Sequence, residues 1–242
     1  MAGSYYIALS GMRARLEALD RLASDIANVS TAGYKAERAT TAQSDRGDFG
    51  ASLQAAIDVR GGPTRIDLRA GAIAPTGRDL DVAIDGPGMF TIDTPSGTRY
   101  TRDGRFVRRT DGVLTTAAGM TVEGANGAPI NLGRINGPVQ IDADGTVRSN
   151  GVAVGRLNVV EFENPGALIR EGTDRFRSDD EDPGPAVESA IRPGALEQSN
   201  VSIVDRIAEL TSVSRNFENM QKALSTLAND IDLRAITELG RR

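Results

Sequence analysis

Apolar residues at the two ends of the chain recur at alternating intervals of four and three. The N-terminal series is Tyr5, Leu9, Met12, Leu16, Leu19, Ala23 and Ile26, and the C-terminal series is Leu210, Val213, Phe217, Met220, Leu224, Leu227 and Ile231. Heptad spacing of this kind lays one apolar stripe along a helix for packing on another helix. Ile203 and Ile207 extend the second stripe upstream, and neither Gly nor Pro interrupts residues 195–239. A helix from Ile203 to Leu239 would be about 55 Å long at ~1.5 Å per residue. The usual globular helix has only about 11–12 residues. Ser199 or Asn200 is expected to cap its start with a side-chain oxygen. The first helix can cover part of so long a stripe, and other subunits are the expected cover for the rest.

Between the ends the pattern changes. All ten prolines fall between Pro63 and Pro193, and of the 27 glycines only Gly3, Gly11, Gly33 and Gly240 lie outside residues 36–194. Gly and Pro are the strongest helix breakers, so the middle is read as β-rich. Over 78–95, Leu80, Val82 and Ile84 alternate, then Asp85-Gly86-Pro87-Gly88, then Met89, Phe90 and Ile92. This predicts two strands around a tight turn. Further turn signals stand at Ser96-Gly97, Asp103-Gly104, Asp111-Gly112, Asn126-Gly127, Asp144-Gly145 and Asn150-Gly151. Short strands at such spacing predict an antiparallel sandwich or small barrel. The expected organisation is a helix over 1–35, an extended connecting arm over 36–77 and a β domain over 78–175. A return arm over 176–197 and a helix over 198–242 complete it. The fold class is α+β, with the two terminal helices pairing as a coiled coil.

Composition narrows the function. The net charge is −5, with no basic patch of the kind nucleic-acid binders carry. There is no cysteine and no histidine. This removes thiol chemistry, His-based triads and most zinc sites. No apolar run approaches the ~20 residues that span a bilayer. The opening residues lack a basic leader followed by an apolar core, and do not read as a cleaved secretory signal.

Candidate chemistry is thin. Asp142-Ala143-Asp144-Gly145 resembles part of a calcium loop, but the twelfth position is Ala153 rather than a Glu. A simple Asp-Gly turn is the better reading. The acidic run Asp179–Asp182 reads as a solvated loop. No nucleotide-binding or nucleophile-elbow motif is present. No catalytic residue, metal ligand or cofactor is expected.

Asn28-Val29-Ser30-Thr31-Ala32-Gly33-Tyr34-Lys35 closes the first helix. Gly33 could take the left-handed conformation that ends a helix, and Asn28 could bond nearby backbone. Ala27, Asn28, Thr31, Gly33, Tyr34 and Lys35 resemble the N-terminal signature of the bacterial flagellar rod and hook family. Leu80–Gly86 with Gly88-Met89-Phe90 looks like the first strand of that family's core domain. Tyr100–Phe106 and Asp111-Gly112-Val113-Leu114 look like the hairpin that follows. Leu196-Glu197-Gln198-Ser199-Asn200-Val201 and the last helix resemble its C-terminal region. Asp25-Ile26 departs from the family's Asn-Leu-type pair.

The resemblance implies a structural subunit of the basal-body rod, not an enzyme. Its length and its Leu239-Gly240-Arg241-Arg242 ending are most like the proximal-rod subunit adjoining the distal rod, with the distal-rod subunit as the near alternative. It also implies that the terminal helices line a hollow axial tube, that the β domain faces outward, and that the rod carries torque across the periplasm to the hook. The implied partners are other rod proteins, copies of this chain and the flagellar type III export apparatus, with no cleaved signal. Nucleic acid, a small-molecule substrate and membrane insertion are not implied. The expected assembly interface comprises Leu9, Met12, Leu16, Leu19, Ile26, Leu210, Val213, Phe217, Met220, Leu224, Leu227 and Ile231. Two rivals stand beside this reading: a wall-glycan hydrolase using paired carboxylates, and a soluble binding module dimerised through its helices.

Overall fold

The computed structural model describes residues 2–39, 64–133, 137–179 and 182–239, with helix side chains described from Gly11 and as far as Thr226. Most of the expected connecting arm therefore lies outside the described residues, as do Asp180 and Glu181. Helix α1 spans Ala2–Ala27 and helix α2 spans Ile203–Leu239. Between them run β1 (Glu37–Ala39), β2 (Thr64–Ile66), β3 (Ile73–Pro75), β4 (Val82–Asp85), β5 (Met89–Thr94) and β6 (Gly97–Thr101). Next come β7 (Phe106–Arg108), β8 (Leu114–Thr116), β9 (Thr121–Val122), β10 (Val139–Ile141), β11 (Thr146–Ser149) and β12 (Val152–Arg156). The last are β13 (Val159–Glu161), β14 (Ile169–Arg170), β15 (Arg175–Arg177), β16 (Gly184–Pro185), β17 (Ala190–Pro193) and β18 (Ala195–Glu197). The architecture is α+β.

The chain forms two compact units. One holds residues 1–27, 37–65 and 202–242; the other holds 28–36 and 66–201. In the first unit α1 packs along α2. The cap of α2 is neither Ser199 nor Asn200. Ser202 precedes the first helical residue, and its hydroxyl accepts from the Asp205 N–H at 3.5 Å. Asp205 also places a negative charge in the first turn, where the helix dipole favours it.

In the second unit every strand pairing with an assigned register is antiparallel. The largest sheet runs β14-β15-β6-β5-β9-β8-β7, with β13 and β16 branching from β5. A second sheet runs β10-β11-β12. The main core joins Phe90, Ile92, Phe106, Leu114 and Val122 of the first sheet to Val139, Ile141 and Val147 of the second. Strand alternation sends Met89 to the other face, where it meets Tyr100, Val160, Phe162, Leu168 and Phe176. Phe90 and Phe106 meet edge-on at 5.1 Å, as do Tyr100 and Phe162 at 4.8 Å.

Several turn signals act as expected. Asn150 and Gly151 both have positive φ (53° and 78°) and close the β11–β12 hairpin. Asp144 accepts from the backbone and hydroxyl of Thr146, so its carboxylate is engaged in the β10–β11 turn. The hairpin expected over 78–95 does not form. Both strands exist, but β4 pairs with β17, while β5 pairs with β6, β9 and β13. The glycines between them serve close approach instead. A Cβ on Gly86 would lie 2.7 Å from the Glu188 carbonyl oxygen, and the Gly88 N–H donates to Ser189 Oγ at 2.7 Å. The segment expected as a return arm is extended yet fully employed: Ile191 pairs with Ile84, and Leu196 with Ala74.

Candidate assembly interface

The signature and stripe residues fall in two regions: the place where residues 28–36 meet residues 195–201, and the helix pair. The first lies within the β unit. Asn28 and Thr31 form a local turn, with the Thr31 N–H on the Asn28 carbonyl and the hydroxyl on Asn28 Oδ1, both at 3.1 Å. Helix α1 has already ended at Ala27, so Gly33 does not terminate it. Gly33 is left-handed (φ +69°) for another reason. A Cβ there would lie 2.4 Å from the Arg102 carbonyl carbon, and its N–H bonds the Glu197 carbonyl at 2.8 Å. Only glycine allows the two crossings and the β6–β7 connection to touch in this way.

Lys35 follows, wholly buried. Its Nζ donates to Glu197 Oε1 and, at 2.9 Å, to the Arg69 carbonyl. Glu197 Oε1 also accepts from the Gly71 N–H at 2.8 Å, and Oε2 accepts from Arg102 Nη1 at 3.1 Å. Arg102 donates further to the Ile84 and Gly86 carbonyls. One buried carboxylate thus serves two buried cations. Burial holds the Lys35 and Arg102 pKa values below their ordinary range, and Glu197 opposes that shift in both. Tyr34 is buried beside them, with the Arg170 guanidinium 4.7 Å from its ring centre. Arg170 also donates to the Lys35 carbonyl. Asn200 clamps the next residue: Oδ1 accepts from the Ala36 N–H at 2.8 Å, while Nδ2 donates to the Asp67 and Arg69 carbonyls.

Thus Lys35, Arg102 and Glu197, drawn from three separate motifs, meet at one place. Sequence reasoning placed Arg102 and Glu197 in motifs without a partner and expected Asn200 only as a helix cap. Glu197 lies 162 residues from Lys35 and 95 from Arg102, and no periodicity links positions so far apart.

The helix pair differs from expectation on α1. On α2, Leu210, Val213, Phe217, Met220 and Leu224 are all half-buried. On α1, Met12, Leu19 and Ile26 are half-buried, but Leu16 stands 48% exposed. Among the described side chains, the apolar residue α1 buries is Leu22, 5% exposed, which the heptad count left out. Gly11, Ala18, Leu22 and Asp25 form a seam one position round from the expected stripe. A Cβ on Gly11 would touch Met220 at 3.6 Å, Ala18 and Leu22 line a groove with Arg206 and Glu209, and Asp25 pairs with Arg206 at 3.2 Å. The count missed this seam because it contains Gly and Asp. The side chains of Leu9, Leu227 and Ile231 lie outside the described residues. Ile203 and Ile207 are 44% and 49% exposed.

Among the described residues no group of acidic side chains is arranged to hold a metal, and no helix is long and apolar enough to cross a membrane. The chain is α+β: its two helical ends pack on each other in one unit, and an antiparallel β domain forms the other. Residues 6–35 match the flagella basal body rod protein family, 83–149 the flagellar hook protein FlgE/F/G D1 domain, and 192–235 the flagellar basal body rod FlgEFG protein C-terminal region. The chain is 34% identical to the flagellar basal-body rod protein FlgF of Mesorhizobium japonicum, over 100% of both chains. It is 32% identical to FlgF of Caulobacter vibrioides over 100% of this chain and 99% of that one, and 32% identical to the rod protein FlgG of Bacillus subtilis over 100% of both. The chain belongs to the flagellar basal-body rod protein family. By that membership it is a structural rod protein and not an enzyme.

Proposed function

We infer that the protein joins the rod through its terminal helices, which pair as a coiled coil and turn their remaining apolar stripe to the helices of neighbouring subunits. The observation that carries this is the exposure of Leu16, Ile203 and Ile207 on helices that already pack on each other. Exposed apolar positions in a continuous stripe mark a surface awaiting a partner. The interface comprises Leu9, Met12, Leu16, Leu19 and Ile26 of α1 and the α2 series from Leu210 to Ile231. Neighbouring copies and other rod proteins supply the matching helices.

In the assembled rod the helices form the inner wall of a hollow shaft, and the β domain lies outside. Torque passes along the shaft because a close-packed seam cannot slide without repacking. The subunit reaches its place through the flagellar type III export apparatus. Its position is in the proximal rod next to the distal segment, with the distal rod as the second position. Electron microscopy of basal bodies from cells lacking only this chain tests the assignment. Missing or shortened rods without a hook are expected, and the break point gives the position. Complete rods would overturn it.

A further inference from the structure

We propose that the Asp25–Arg206 ion pair sets the register in which α1 and α2 pack, and so selects the correct helix partner; this rests on the reading that the terminal helices are the assembly elements. Arg206 Nε lies 3.2 Å from Asp25 Oδ2, with side chains only 14% and 2% exposed. The same Arg206 holds Glu209 at 2.7 Å, and Asp25 Oδ1 accepts from the Glu37 N–H at 3.4 Å. This is a buried charge pair beside Leu22 and Ala18, in a groove whose lining also includes Arg21, Glu37, Arg38 and Glu209. The comparable surface pair, Arg13–Glu17, is 83% and 43% exposed and joins residues of one helix.

The sequence around each partner makes the pair selective. One turn or one heptad from Arg206, α2 offers Ile203, Glu209, Leu210 and Val213. One turn or one heptad back from Asp25, α1 offers Leu22, Arg21 and Ala18. The Gly11–Met220 and Asp25–Arg206 contacts run the two helices antiparallel, so a slip toward the start of α2 sets Arg206 against Leu22, Arg21 or Ala18 while Asp25 meets Ile203 or passes the first helical residue. A slip the other way sets Asp25 against Glu209, Leu210 or Val213 and carries Arg206 past the end of α1. A buried charge without its counter-ion is costly, whereas an apolar stripe alone tolerates slippage by a heptad. A single polar position inside a helix seam fixes register in this way, by penalising the alternatives.

The chain has no cysteine, so disulfides between introduced cysteines report register cleanly on the purified full-length protein. Gly11→Cys with Met220→Cys reads the observed register. Gly11→Cys with Val213→Cys reads a slip of one heptad. With Asp25 and Arg206 intact, the first disulfide should exceed the second by about tenfold or more, the ratio that one stranded interaction of ~1.4 kcal/mol supports. Arg206→Leu removes the ion pair between the helices and should reduce the first disulfide. Adding Asp25→Leu to Arg206→Leu should restore helical content by circular dichroism and total cross-linking, yet bring the two disulfides to similar yields. Recovery of stability without recovery of register is what a purely structural role would not give. A double variant that keeps the tenfold preference, or an Arg206→Leu variant that cross-links like the parent, would overturn the proposal. Cross-linking is read on the isolated chain, so it stands whether or not rods form.

Discussion

Glu197 is the residue on which the chain crossing turns. It is one carboxylate shared by Lys35 and Arg102, all three buried. Removing it leaves two buried cations without their counter-ion. Removing Lys35 leaves a neutral Glu197–Arg102 pair. Glu197→Gln should therefore cost about 3–5 kcal/mol, and Lys35→Met a smaller ~1–2 kcal/mol. Urea denaturation of the two variants checks the order; equal losses would contradict the shared-carboxylate account. The pH dependence follows from the lowered Lys35 pKa. The folded state releases that proton before the unfolded chain, whose lysine titrates near 10.5. In the window below that value the unfolded state binds more protons, so stability rises with pH there. The rise should vanish in Lys35→Met, read as the difference between the two denaturation series across the window. Lys35, Tyr34 and Gly33 were legible in the sequence as parts of a signature. Their partners were not, because a contact between residues so far apart in the chain leaves no mark in local spacing.

The helices were the most legible of the elements, and α2 runs over Ile203–Leu239 as its unbroken pattern predicts. Its cap was misplaced, because Asn200 is spent on tying residues 36, 67 and 69 together. On α1 the stripe was read one position round from the seam that packs inside the unit. Apolar spacing alone cannot see a seam that uses Gly11 for close approach and Asp25 for an ion pair. The two faces should respond differently to truncation. Leu22→Ala should destabilise the helix pair by about 2–3 kcal/mol, as deletion of a buried leucine does. Leu16→Ala should stay within about 0.5 kcal/mol in the isolated chain. Thermal unfolding followed by circular dichroism at 222 nm, a helix-dominated wavelength, separates them, and equal effects would place both residues on one seam. Among the strands, the Asn-Gly hairpin was legible because its turn chemistry is local. The pairing of β4 with β17 was not, since Gly86 and Gly88 look the same whether they make a turn or admit a neighbouring strand.

At the scale of the molecule, three motif regions in a fixed order carried more than any one of them. They fall in or beside the matched segments 6–35, 83–149 and 192–235. The order was readable because each segment keeps its own local chemistry, while the charge cluster that joins them appears only on folding. Buried charges hold the Lys35–Glu197 region together in one unit, and Leu16, Ile203 and Ile207 stand exposed on the helices of the other. The measurement that tests this most directly is electron microscopy of basal bodies from cells whose only copy carries Leu16→Asp, with the purified variant's melting checked alongside. The account predicts a subunit that melts like the parent and rods that are missing or cut short, because a charge has been set into the seam between subunits. Full-length rods carrying hooks, built from a variant shown to be incorporated, would contradict it.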